Sequence, residues 1–101
     1  MAQSKLDLLL KLESDKEESL RMDYLKAQQH LQSNQQKLQG LNNFRMEYSQ
    51  QLHLKGRSGL SSAGFSQYHA FIAKIEEAIR QQASTVNTAK QVVTQRKALW
   101  L

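Results

Sequence analysis

A chain of 101 residues without proline or cysteine excludes a disulfide scaffold, a thiolate nucleophile and a cysteine zinc site. Its net charge of +5 is unevenly placed: residues 1–52 carry seven basic and seven acidic side chains, whereas residues 78–101 carry Arg80, Lys90, Arg96 and Lys97 and no acid. Such a block attracts acidic protein, nucleic acid or anionic lipid, although a solvated helix face is its commoner use.

In chain order, the first predicted element is a helix over residues 3–52, roughly 75 Å long at 1.5 Å per residue. Its opening is irregular, because Leu6, Leu9, Leu10 and Leu12 cluster and the acidic run from Glu13 to Glu18 follows them. That cluster is too short for a membrane span, is interrupted by Asp7 and Lys11, and lacks the cleavage pattern of a signal peptide. From Leu20 onward, steps of three and four residues land on Leu20, Tyr24, Ala27, Leu31, Asn34, Leu38, Leu41, Arg45, Tyr48 and Leu52, eight of the ten being apolar or aromatic. A spacing that averages 3.5 residues holds one narrow stripe toward one partner helix, which is the seam of a coiled coil. Gly40 falls on the outer face, costs about 1 kcal/mol relative to alanine and does not end the pattern.

A turn is predicted over residues 53–60, where Gly56 and Gly59 mix with serine and the periodicity stops. Ser61 is the expected N-cap of the next helix, with Leu60 and Phe65 placed as a hydrophobic staple. The second helix is predicted over residues 61–101. Its stripe is Phe65, Tyr68, Ile72, Ile75, Ile79, Gln82, Val86, Ala89, Val93, Arg96 and Trp100, nine of the eleven being apolar or aromatic.

Two seams in one chain predict an all-α fold, a long two-helix antiparallel coiled-coil hairpin occupying residues 1–101 as one domain. Two helices without a third layer enclose no globular core, so the shape is a rod of modest stability. Pairing Leu52 with Phe65 makes the numbers of facing residues sum to about 117 and brings Asn34 against Gln82, a polar layer that penalises slipped registers. The same register brings Glu13 and Glu17 near Arg96 and Trp100. Residues Leu6 to Leu12 then face nothing, and Leu99-Trp100-Leu101 lacks a stop signal. A chain that continues beyond Leu101, or a partner covering both apolar ends, is the expectation.

Catalytic chemistry finds no foothold. Gly59 to Ser66 has the glycine spacing of a phosphate-binding loop, but Phe65 stands where the lysine would be and no strand precedes it. His30, His53 and His69 lack the spacing of a helical zinc pair. Glu13, Asp15, Glu17, Glu18, Glu76 and Glu77 lie on open helices, where nothing excludes water. The informative feature is apolar residue beside the seam. With Leu38 and Phe65 at a positions, Phe44, Phe71 and Ala78 are all g positions, and both g flanks of an antiparallel hairpin lie on one side. The e flank carries Asn42, Ser49, His69 and Glu76. One side of the rod near the turn is therefore apolar, with Leu41, Tyr48 and Ile75 partly open beside Phe44 and Phe71. Such a patch marks a partner site or a broadened seam.

Met1-Ala2-Gln3 with Leu9-Leu10, the Ala27-Gln28-Gln29 run, Phe44-Arg45-Met46-Glu47-Tyr48, Tyr68-His69-Ala70-Phe71-Ile72, Glu77-Ala78-Ile79 and the terminal Trp100 together resemble the FliJ family of flagellar type III export proteins. The resemblance covers essentially the whole chain, and family members are typically longer. It implies a non-enzymatic, cytoplasmic protein without cofactor, peripheral at most to the inner membrane. It further implies a coiled coil like the stalk of rotary ATPases that associates with the hexameric export ATPase FliI, with the cytoplasmic domain of the export gate FlhA and with export chaperones. By that likeness the gate-facing stripe is Leu41, Phe44, Tyr48, Phe71, Ile75 and Ala78, with Lys37 and Gln82 at its margins. ATPase contact is expected at the opposite end, through Leu6, Leu9, Leu10 and Trp100. A nucleic-acid-binding arm and a structural scaffold are the alternatives.

Overall fold

Residues 4–101 are described by a computed structural model, and they form two helices, α1 at Lys5–Arg57 and α2 at Ser62–Trp100. The expected start of the first helix at residue 3, and the Met1-Ala2-Gln3 run, lie outside the described residues. Ser4 caps α1 in an extended conformation, its Oγ accepting the Asp7 N–H at 3.1 Å, and Asp7 complements the positive end of the helix dipole.

The first helix runs five residues past its expected end at Leu52, through His53, Leu54, Lys55 and Gly56 to Arg57. A Cβ on Gly56 would lie 3.1 Å from Cζ of Phe65, so the bare backbone lets that ring come down across the last turn of α1. The helix ends instead at Ser58, whose N–H and hydroxyl both donate to the Lys55 carbonyl. Gly59 follows with φ of 92°, a conformation that costs most side chains 1–2 kcal/mol, as estimated for left-handed backbone. Ser61 then caps α2, its Oγ accepting the Gly64 N–H at 3.2 Å.

The two helices lie against one another in a rod with extents of 86 × 18 × 17 Å. Ile75, Val86 and Ala89 are the buried apolar residues among those described, and most other seam side chains are half-buried. This is the consequence of a single interhelical layer: each knob is covered by the facing helix and remains open along the flanks. Ile75 was expected to be partly open and is instead 6% exposed, because a d residue in mid-seam is roofed by α1.

The expected polar layer is present. Nε2 of Gln82 donates to Oδ1 of Asn34 at 2.9 Å and to the Asn34 carbonyl at 3.0 Å, while Nδ2 of Asn34 donates to the His30 carbonyl at 2.9 Å. Asn34 is 6% exposed, yet no buried side-chain polar atom among the described residues lacks a partner. A satisfied layer of this kind costs little and makes a shifted register costly, since a slip would bury these amides against apolar neighbours.

At the open end the register arithmetic is modified by side-chain direction. Helical side chains lean toward their own N-terminus, so Tyr24 and Trp100 lean toward each other from positions that do not sum to 117. Their rings stack with centroids 5.5 Å apart. Trp100, expected from the sequence as a partner contact, thus also has a partner within the chain. Glu13 and Glu17 share a groove with Trp100, but the ion pairs among the described residues are Glu18–Arg21, Glu77–Arg80 and the cross-helix pair Arg45–Glu76, so Arg96 meets neither acid in an ion pair. Glu13, Glu17 and Arg96 are exposed, which leaves these long side chains no reason to hold one geometry.

Candidate protein-docking surface

Near the turn, α1 contributes Phe44 and Tyr48, one helical turn apart, and α2 contributes Tyr68 and Phe71, which face them in the register set by Asn34 and Gln82. The rings form one connected cluster. Tyr48 lies 4.6 Å from Phe71 and 5.0 Å from Tyr68, and Phe44 meets Phe71 edge to face at 6.2 Å. The inner members are half-buried, whereas Phe44 is 46% and Phe71 39% exposed. Aromatic contacts of this geometry hold the outer rings in place beyond the area they bury. The patch is thus presented as a preformed surface.

Of the stripe expected from the sequence, Phe44, Tyr48 and Phe71 come together in that cluster, Leu41 and Ala78 flank it half-buried, and Ile75 lies beneath it in the seam. Gln82 is turned inward by its hydrogen bonds to Asn34, and Lys37 is exposed. Tyr68 and Lys55 belong to the cluster and were not singled out. Nζ of Lys55 sits 5.2 Å from the centroid of Tyr68. Side-chain hydrogen bonding to Tyr68, with a further charge interaction, holds its pKa above the ordinary lysine range. The signal lies in the spacing: continuing the three-four stepping from Leu52 reaches Lys55, inside the stretch where a turn is expected.

The remote end is different in kind. Leu6, Leu9 and Leu10 are 65%, 58% and 60% exposed, and Leu8 and Leu12 are exposed as well. At 100° per residue Leu6, Leu9 and Leu10 share one face, Leu8 lies nearly opposite and Leu12 falls between, next to Leu9. α1 has 53 residues and α2 has 39, so the start of α1 extends beyond the end of α2, with Leu10, Glu13 and Glu17 sharing a groove with Trp100. Trp100 closes the paired region beside Leu20 and Leu10.

No three histidine, aspartate or glutamate side chains converge as metal ligands among the described residues, and no helix is long and apolar enough to cross a membrane. No curated protein and no solved structure matches the chain. The family model described as Flagellar FliJ protein matches residues 2–101, which is nearly all of it, and the chain accordingly belongs to the FliJ family, as a component of the flagellar protein export apparatus.

Proposed function

We propose that this hairpin acts as a stalk-like, non-enzymatic connector of the export apparatus, engaging the cytoplasmic domain of the gate FlhA through the aromatic flank and the ATPase FliI through its open end. The observation that carries this reading is the Phe44–Tyr48–Phe71 cluster: its outer rings stand in solvent although the seam does not need them. Exposed aromatic rings held rigidly by neighbours are the composition of interface anchors, since they bury large areas with little entropy left to lose. The leucines of the projecting part of α1 support an ATPase contact at that end, together with Trp100 where the paired region closes. Assistance to substrate or chaperone delivery follows from a connector that touches both machines.

The test is binding of the purified chain to the FlhA cytoplasmic domain, compared for the unaltered protein, Phe44→Ala and Phe71→Ala. Weakened binding with unchanged helicity supports the reading, and undiminished binding in both variants removes the site.

A further inference from the structure

The side of the rod opposite the aromatic cluster is also built, and in different chemistry. Near the turn the α1 side of the e flank carries the small residues Ser49 and Gly56. A groove of about 530 Å³ opens between the helices, floored by Leu52, Gly56 and Phe65 and rimmed by His53, Arg57 and His69. A second depression of about 400 Å³, on α1 alone, shares Ser49 and His53 with it and reaches Leu54, which is 62% exposed on the outer face of that helix. Phe65 remains 36% exposed on the groove floor, with its ring stacked 6.3 Å from the imidazole of His69. Gly56 shapes this floor, because a Cβ there would press on the Phe65 ring.

One charged side chain, Arg57, lines the groove, and no acidic residue does. No acidic residue occurs between Glu47 and Glu76, whereas Lys55, Arg57 and Lys74 lie in that interval with His53 and His69. Of the two flanking acids, Glu76 is met by Arg45 across the helices. Bases in the last turn of α1 are accounted for by its dipole, which favours cations at that end. The absence of acids in the first turn of α2 is not, because the same effect favours aspartate or glutamate there by about 0.3–1 kcal/mol. The tip thus forgoes a stabilising carboxylate and stays positive. Arg57 has no ion-pair partner among the described residues.

We propose that this groove docks an acidic amphipathic helix of a partner protein. Its apolar face lies on Leu52, Gly56 and Phe65, and its carboxylates meet Arg57, His53 and His69. A groove that runs along two packed helices accepts anchors at i, i+3, i+4 and i+7, and it presents no strand edge to an extended peptide. Guanidinium and carboxylate complement one another in forked geometry, which gives Arg57 the orienting role. The surface is separate from the Phe44–Phe71 flank, so the proposal stands or falls independently of gate binding there.

The probe is a fluorescein-labelled three-heptad peptide with leucine at a and d and glutamate at e and g, followed by fluorescence anisotropy on the full chain. The control probe has lysine in place of each glutamate. The glutamate peptide is expected to bind, to lose about tenfold in affinity to Arg57→Glu and to Ser49→Trp, which fills the groove, and to bind Phe44→Ala and Leu6→Glu unchanged. Circular dichroism of each variant checks folding. Should Ser49→Trp unfold, Arg57→Glu at the exposed helix end still decides. Equal binding of the lysine peptide overturns the proposal, as does a loss confined to Phe44→Ala or Leu6→Glu. Stronger Arg57-dependent binding to phosphatidylglycerol vesicles or single-stranded DNA than to the glutamate peptide overturns it too.

Discussion

The side-chain amide of Gln82 reaches across the seam and donates to both the carbonyl and the side-chain oxygen of Asn34, 48 positions away in the chain. The pair fixes which turn of α2 faces which turn of α1, because each amide finds its complement only in this alignment. Loss of Gln82 leaves Oδ1 of the buried Asn34 without its donor. Gln82→Ala is expected to cost about 1–3 kcal/mol of stability. The double change Asn34→Leu with Gln82→Leu should instead raise the melting temperature while permitting slipped or intermolecular pairing. Thermal circular dichroism and light scattering read the two effects separately.

Seam and flank should part company under mutation. Ile75→Ala removes a buried side chain and is expected to cost about 2–5 kcal/mol, and Ile72→Ala, half-buried, somewhat less. Phe44→Ala and Phe71→Ala should largely keep helicity and weaken gate binding by about 2 kcal/mol or more, roughly thirtyfold. Equal loss of helicity in all four variants would show that the flank is a widened core.

Changing Leu6, Leu9 and Leu10 together to glutamate should abolish association with the ATPase without lowering the melting temperature, since these side chains are exposed. Trp100→Ala should lower it, because the Tyr24 ring loses its stacking partner. Co-sedimentation with the ATPase, read beside the melting curves, separates the two outcomes.

Two glycines should respond with opposite sign. Nothing lies near the place where a Cβ on Gly40 would stand, so Gly40→Ala should stabilise α1 by about 1 kcal/mol. Gly59 has φ of 92°, and Gly59→Ala should destabilise the hairpin by about 1–2 kcal/mol. Denaturant midpoints at unchanged slope measure both.

Acid should weaken the helices modestly. Hydrogen bonds from Arg21 and Arg80 hold the pKa of Glu18 and of Glu77, respectively, below the ordinary glutamate range. A carboxylate whose pKa is depressed by folding stabilises the folded state above its unfolded value, and that contribution is lost as pH falls through the folded one. Helicity followed downward from about pH 5 should therefore decline below the usual glutamate value near pH 4.3, and less so in Arg21→Gln with Arg80→Gln. Both pairs are exposed, so added salt should shrink the difference.

The register and the aromatic flank were legible in the sequence because heptad position is a matter of counting, and the counting survives any detail of packing. Pairing Leu52 with Phe65 was enough to bring Asn34 to Gln82. What counting cannot supply is the direction in which side chains lean, and for that reason the Tyr24–Trp100 stack was missed. It also treats d residues near an open flank as open, whereas Ile75 is covered. The true end of α1 was hidden by Gly56, whose role depends on a ring nine positions later. The e-side groove was invisible for the same reason: it is made by side chains that are absent.

The unequal spacing of the cross-helix contacts along the chain has a kinetic meaning. Tyr48 meets Tyr68 close to the turn, Gln82 meets Asn34 in mid-rod, and Trp100 meets Tyr24 near the open end, so each layer encloses all the layers before it. Once the turn has formed, each further layer closes only a small additional loop, and the entropic cost grows slowly with length. The hairpin should zip from the turn outward and fray from the other end. Amide exchange would then show protection falling along α1 toward its leucines, with a step at the polar layer. Were the zipper stopped there, the aromatic tip would already be complete while the end carrying Trp100 remained unpaired.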